Sequence, residues 1–151
     1  MSKRNFSARD FARSVPNARS FLGSEGGGKP RKYQNKRVQY PDGRAYDSVA
    51  EARYALQLEF DQQRGWIVGF LEQVSIRVSP KVRFVADFVV WMNTLEGLSV
   101  RWIDVKGKET PTFKVKRDVI QSRYPFVKIE LVKPDWVYKN CPQLPFDAQV
   151  N

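Results

Sequence analysis

The chain has 151 residues, of which 42% are hydrophobic and 13% aromatic, so we expect one folded domain with a real core rather than a disordered chain. It has no histidine and a single cysteine, Cys141, which excludes an internal disulfide, imidazole metal sites and Ser–His or Cys–His catalysis. Any metal would be bound mainly by oxygen ligands, as Mg²⁺, Ca²⁺ and Mn²⁺ are.

The net charge of +10 is concentrated near the N-terminus. Residues 1–40 hold ten Lys or Arg against two acids, whereas residues 41–151 hold sixteen against fourteen. We interpret residues 1–32 as a flexible basic arm, with a Gly-rich linker at 23–30, and residues 33–151 as the folded domain. Such an arm favours a nucleic acid, because each bound phosphate releases a counterion; a solubilising tail is the alternative. Without a long apolar run, no membrane span or secretory signal is expected, and the cytoplasm is the expected location.

A hairpin and a helix are the first predicted elements. Residues 38–40 and 44–46 flank a Pro-Asp-Gly turn signature at 41–43, which predicts a short hairpin. Ser48 followed by Glu51 fits a capping box, so a helix should begin there and end near Gly65. The residues expected on its apolar side are Ala52, Ala55, Leu56 and Phe60.

Four further strands and a second helix are predicted after this helix. Residues 66–78 should be extended, as one bent strand or two short ones, and residues 82–92 form a strongly β-prone strand. A turn at 93–97 leads to a strand at 98–106, followed by a helix at 112–123 capped by Thr112 and a strand at 127–132. The tail after residue 134 has no clear period. This order predicts an α/β fold with a mixed central sheet flanked by helices.

Two of the predicted strands carry acidic residues and a lysine among apolar neighbours. Side chains alternate between the faces of a strand, so Asp104 and Lys106 share a face, and the tight turn lets Asp87 stand beside Asp104. Adjacent carboxylates repel each other, and a divalent cation removes this repulsion. A metal-bound water could attack a phosphodiester, with Lys106 orienting it or neutralising the developing charge. The alternative is a structural salt bridge between Lys106 and one aspartate.

The segments VADF at 85–88 and IDVKG at 103–107 resemble the motif of the PD-(D/E)XK nuclease superfamily, with Ala86 replacing the usual proline. The resemblance covers roughly residues 33–132. The chain is similar to a family of small phage-encoded proteins in this superfamily and, in layout, to the phage endonuclease I class of Holliday junction resolvases. This resemblance implies a restriction-endonuclease-like core and Mg²⁺, with Mn²⁺ as a substitute.

The resemblance also implies roles for particular residues. Asp87, Asp104, Lys106 and Glu51 would be catalytic, and the three acids among them would bind the metal. Glu51 satisfies a capping box by itself, so cap and catalysis remain alternatives that are hard to combine in one side chain. Gln73 would support the site from a neighbouring strand.

Basic residues that could contact DNA lie on the second helix, before it, and near the arm. In the superfamily, a polar or basic residue of this helix often faces the site; a solvated helix face is the alternative. The candidates are Lys108, Lys114, Lys116, Arg117, Arg31, Lys32, Lys36 and Arg37.

The expected function is metal-dependent cleavage of DNA, and of branched DNA such as a Holliday junction in particular. Paired cuts in a four-way junction need a dimer, and the endonuclease I class implies one with exchanged segments. The alternatives are a nicking, repair or restriction-like nuclease of the same superfamily, a non-catalytic DNA-binding protein, and RNA binding by the arm alone. If the chain is phage-encoded, it would act in the cytoplasm of a bacterial host.

Overall fold

The structure, a computed structural model, describes residues 36–151. The expected arm, with Arg31 and Lys32, lies outside the described residues, so the boundary between arm and domain stays a prediction. The helices and strands are, in chain order, β1 (Val38–Gln39), β2 (Ala45–Tyr46), α1 (Val49–Gln63), β3 (Gly69–Arg77), β4 (Arg83–Thr94), β5 (Gly97–Val105), α2 (Pro111–Arg123), β6 (Ile129–Val132), α3 (Pro134–Asn140) and β7 (Gln149–Val150).

The predicted mixed sheet flanked by helices is confirmed. Its four strands lie in the order β3-β4-β5-β6. The first three are antiparallel neighbours, whereas β6 runs parallel to β5 and reaches it through α2. A second sheet, in the order β2-β1-β7, contains the predicted hairpin, whose turn uses Gly43 at φ +87°. None of the helices within residues 36–151 has the length and hydrophobicity that a membrane crossing requires.

Two core clusters form on the two sides of the sheet. The first lies between the sheet and α1 and includes the fully buried Phe88 and Ile103. The second includes Phe113 and Ile120, the two buried residues of α2. Burial of each large apolar side chain contributes about 1.5–3 kcal/mol, so the sheet is stabilised from both sides.

Several local predictions were wrong. On α1, Ala52 and Ala55 are buried as expected, but Phe60 is 38% exposed, and Tyr54 and Leu58 are buried instead. The helix packs through a face rotated from the predicted one.

Helix α2 is capped by Thr110 rather than Thr112. The Thr110 side chain accepts a hydrogen bond from the Phe113 N–H at 3.2 Å, and Pro111 follows in the first turn. Proline is favoured there because its fixed φ suits a helix and its missing N–H would have no partner. The tail also holds α3 and β7, which were not predicted.

The side chains of β3 and β4 exchange faces partway along the hairpin. On β4, Phe88 and Val90 pack in the first cluster, but Phe84 and Ala86 pack in the second. Strict alternation would have put all four on one side. Alternation along β4 predicts that Asp87 shares a face with Arg83, Val85, Val89 and Trp91. This prediction is wrong, because Val89 and Trp91 pack in the second cluster whereas Arg83 and Val85 are exposed on the other side of the hairpin.

The exchange takes place at Gln73 and Asp87. Gln73 has φ 53° and is the one non-glycine residue with positive φ in residues 36–151. Its neighbours Glu72 and Val74 pair with Phe88 and Ala86, so Gln73 lies opposite Asp87. The left-handed conformation costs an L-residue about 1–2 kcal/mol. Strained residues of this kind concentrate at functional sites.

Candidate active site

Asp87 and Asp104 lie where β4 and β5 separate. The last ladder pair between these strands is Phe88 with Ile103, so the two aspartates are the next residues in register, as predicted. No ladder pair joins them. The Asp87 Oδ2 atom instead accepts a hydrogen bond from the Val105 N–H at 2.7 Å. A carboxylate therefore takes the position of a strand-to-strand bond.

Asp87 is in an unfavourable position for a charged group. Burial, and then the negative charges of Glu51 and Asp104, raise its pKa to about 8. The hydrogen bond from Val105 and the charge of Lys106 act in the opposite direction but do not compensate. The Gln73 side chain donates a hydrogen bond to Asp87 Oδ1 at 3.2 Å, so each carboxylate oxygen has a donor. Asp87 is thus held in place by two donors, in surroundings that raise its pKa and favour its protonated form.

Asp104 and Lys106 form an ion pair at the end of β5. Lys106 Nζ is 3.0 Å from Asp104 Oδ2, and it also lies 4.4 Å from the centroid of the Phe113 ring. Asp104 is only 3% exposed, and burial raises its pKa even though the charge and hydrogen bond of Lys106 lower it. The salt bridge that the structural interpretation predicts is therefore present.

Glu51 is at the helix cap and beside the aspartates at once. Its backbone N–H donates to Ser48 Oγ at 3.2 Å, and the Ser48 hydroxyl donates to Glu51 Oε1 at 2.9 Å. The side chain is buried, which is the main reason its pKa is raised; the charges of Asp47 and Asp104 add to this. Because Glu51 also raises the pKa of Asp87, its side chain lies at the helix cap and near the candidate site, two positions that were expected to be alternatives.

The donor types fit a hard divalent cation, but the carboxylates do not yet converge on one point. Glu51, Asp87 and Asp104 all have raised pKa values, and Lys106 supplies a single positive charge among them. Carboxylates with waters are the ligands that Mg²⁺ prefers. Within residues 36–151, however, no three acidic or cysteine side chains stand close enough to form a complete metal site as they are.

The predicted DNA contacts are in different situations. Lys108 and Lys114 are exposed on the side of the site where α2 begins. Lys116 donates to the Arg83 carbonyl at 3.3 Å, and Arg117 pairs with Glu109 at 3.1 Å. Arg117 therefore contributes to local structure.

The two candidates near the start of the described chain lie beside the small sheet. Lys36 and Arg37 are exposed just before and at the edge of β1. Arg37 is 3.9 Å from Asp47, and its backbone bonds with Asn151 in both directions. Since the acid next to Arg37 lies close to the helix cap, these two residues are on the Glu51 end of α1.

Sequence reasoning did not identify Arg77, Lys81 and Arg83 as possible contacts. They lie around the β3–β4 turn and are exposed. The signal that could have found them is the segment 73–83, which contains three basic residues and no acid.

The chain belongs to the family described as "Protein of unknown function (DUF1064)", whose model matches residues 30–140. The matched segment includes Glu51, Asp87, Asp104 and Lys106. The chain matches no curated protein and no solved structure.

Proposed function

We propose that this protein is a metal-dependent endonuclease of the PD-(D/E)XK type that cleaves DNA. The observation that carries the proposal is the grouping of the buried Glu51 and Asp104 with the half-buried Asp87 at the point where two strands part, with Lys106 paired to Asp104. An arrangement this costly to bury needs a counter-charge. Perturbed carboxylates of this kind are typical of functional sites.

Asp87 and Asp104 would bind Mg²⁺, or Mn²⁺ in its place, with Glu51 as a third ligand or as the partner of a bound water. The metal would supply an acidified water and neutralise charge on the phosphate. The overall reaction would be hydrolysis, in which a water oxygen is added to phosphorus, the bond from phosphorus to the leaving oxygen is broken, and the proton given up by the water is balanced by the one that the leaving oxygen takes up. Lys106, which contacts Asp104, would stabilise the added negative charge. Gln73 would keep Asp87 oriented through its hydrogen bond.

The substrate we propose is branched DNA, with the basic residues of the arm and of α2 as backbone contacts. Symmetric cuts in a four-way junction would require a homodimer. If the chain is phage-encoded, such an enzyme would act in the cytoplasm of a bacterial host.

A non-catalytic DNA-binding protein is the second candidate. The ion pair of Lys106 with Asp104 favours it, because this pair neutralises one of the acids without any metal.

The test is cleavage of a labelled four-way junction and a matched linear duplex, each with Mg²⁺ and with chelator. We expect Mg²⁺-dependent paired cuts in the junction, and we expect Asp104→Asn to abolish cutting while DNA binding is unchanged. Asp118→Asn is the matched control, since Asp118 is an exposed acid on α2. Cutting of both substrates would keep the nuclease and remove the junction selectivity. Binding without cutting by the wild type would favour the second candidate, and loss of binding in Asp104→Asn would make Asp104 structural.

A further inference from the structure

The outer face of the β3–β4 hairpin carries a row of side chains that starts at the candidate active site. The register pairs Ser75 with Val85 and Arg77 with Arg83, and Gln73 lies opposite Asp87 one step nearer the site. The four residues beyond the Gln73–Asp87 pair are all exposed. Because side chains two residues apart share a face, the three cross-strand pairs form one surface, which we call the hairpin row.

The inner face of the same hairpin is fully engaged. Val74, Ile76, Phe84 and Ala86 pack in the second cluster, and the Phe84 and Phe113 ring centroids are 5.7 Å apart. The hairpin is therefore fixed against α2. The hairpin row has to face away from α2, on the side of the sheet from which α1 presents Glu51.

The far end of the row places two positive charges directly opposite each other. Arg77 and Arg83 are Cα partners in the ladder, and like charges in this position destabilise a sheet. Lys81 is exposed in the adjacent turn, and Lys116 reaches the hairpin edge at the Arg83 carbonyl. An anionic partner would be attracted by this concentration of positive charge on an exposed face.

We propose that the hairpin row binds the phosphodiester backbone of the DNA substrate, at a fixed distance from the cleaved phosphate. This inference rests on the proposed function, because it takes the Asp87 end of the row as the site of cleavage. Arg83 is four residues from Asp87, which is about 13 Å along a strand. At 3.4 Å of rise per nucleotide, the contacted phosphates lie about four nucleotides from the cut.

DNA fits this surface better than an acidic protein does. The cations are grouped at one end of a rigid hairpin, where Arg77 and Arg83 stand side by side and can contact neighbouring phosphates. The row also leads directly to carboxylates that would otherwise repel a polyanion, so the arginines would hold the backbone next to the site. Phosphate contacts position a nucleic acid without reading its sequence, so the hairpin row should bind all sequences equally.

The test compares the full-length wild type with two double variants, by fluorescence anisotropy in chelator, where no cutting takes place. The hairpin variant is Arg77→Ala with Arg83→Ala. The control variant is Arg64→Ala with Lys139→Ala, which removes the same charge from exposed positions on other elements. Binding of a linear duplex and of a four-way junction is measured between 50 and 200 mM salt.

We expect the hairpin variant to bind both DNAs roughly tenfold more weakly, and the slope of log K against log salt to fall by about two. The control variant should stay within twofold of the wild type and keep its slope. Blocking single phosphates by ethylation should weaken wild-type binding about four nucleotides from the cut, and should have no such effect on the hairpin variant.

A second variant separates DNA binding from folding. Arg77→Glu places an acid opposite Arg83, so the melting temperature should rise or stay constant while DNA affinity falls by more than in Arg77→Ala. A parallel loss of melting temperature and affinity would make the arginines structural and overturn the proposal.

The outcomes for the hairpin row and for the nuclease are distinguishable. If the wild type binds DNA and both double variants lose the same amount of affinity, or none, the hairpin row is not a DNA contact; the proposal of a nuclease is not affected by that result. Weaker binding by the hairpin variant, with no cutting by the wild type, would support the row and remove the nuclease. A wild type that binds no DNA would overturn both, and capture of an acidic protein instead would refute DNA as the partner of the row.

Discussion

Asp87→Asn should stabilise the metal-free protein at high pH. The pKa of Asp87 is about 8 in the folded protein, against an ordinary value of 3.8. Because the pKa is raised by folding, the stability that Asp87 contributes is fully present below pH 3.8 and is lost as the pH rises towards 8. Asparagine remains neutral throughout. It also keeps an oxygen for the Val105 N–H, and Gln73 can turn its amide to accept from the new NH₂ group.

The magnitude follows from the size of the shift. Each pKa unit corresponds to about 1.4 kcal/mol, so ionising Asp87 in the folded metal-free protein costs several kcal/mol. For a domain of this size, 1 kcal/mol changes the melting temperature by about 4 °C. We therefore expect Asp87→Asn to melt roughly 10–20 °C above the wild type at pH 8.5, and the difference to vanish near pH 4.

The assay is thermal denaturation in chelator between pH 4 and 9, repeated with Mg²⁺. The wild type should lose stability steadily with rising pH, the variant less steeply, since Glu51 and Asp104 still titrate in it. Mg²⁺ should stabilise the wild type above pH 7, by binding the ionised acids, and should have little effect on the variant. Asp118→Asn is the control, with a change within about 0.5 kcal/mol at every pH. Parallel pH curves for wild type and Asp87→Asn would refute the view that Asp87 is a strained, uncompensated acid.

Three other variants test the neighbourhood of the site and the tail. The free energy of unfolding of Gln73→Gly should exceed that of Gln73→Ala by about 1 kcal/mol, because glycine adopts positive φ without strain. This is the reverse of the usual order in a strand, and equal free energies would contradict the left-handed conformation. Glu51→Gln should leave α1 intact, since its backbone N–H still donates to Ser48, and should lower the pKa of Asp87 towards its ordinary value, as measured by carboxyl NMR titration. Arg53→Met should cost about 2–5 kcal/mol in denaturant unfolding, because it leaves buried carbonyls without donors, whereas Arg64→Met should cost less than 0.5 kcal/mol.

The parts of the fold that follow from local rules could be predicted from the sequence. The Pro-Asp-Gly turn and the Ser48 cap depend on a few adjacent residues, and both are where the sequence placed them. The proximity of Asp87 and Asp104 required only a tight turn and a strand on each side of it. The rotation of α1 was missed because an apolar stripe shows which residues could be buried, and tertiary packing decides which of them are.

The parts that depend on distant contacts could not be predicted. Helix α3 has seven residues, too few to be stable alone. At the C-terminal end of α3, the carbonyls of Tyr138, Cys141 and Pro142 accept hydrogen bonds from Arg53 of α1, at 3.1, 2.5 and 2.7 Å. The donor and the acceptors are more than eighty residues apart, so no window of sequence around α3 contains the reason for its end.

The left-handed residue in β3 connects the acids with the arginines. Glycine or asparagine would have signalled positive φ, but glutamine does not. Had the strands continued their alternation past Gln73, Arg77 and Arg83 would point into the second cluster, and Phe84 and Ala86 would point out of it. The exchange of faces buries the apolar pair, turns the arginines to the side of Glu51, and sets Gln73 opposite Asp87. One backbone conformation thus determines both how Asp87 is held and where the positive charge lies, so Gln73 is the residue at which the proposed cleavage site and the proposed DNA surface are coupled.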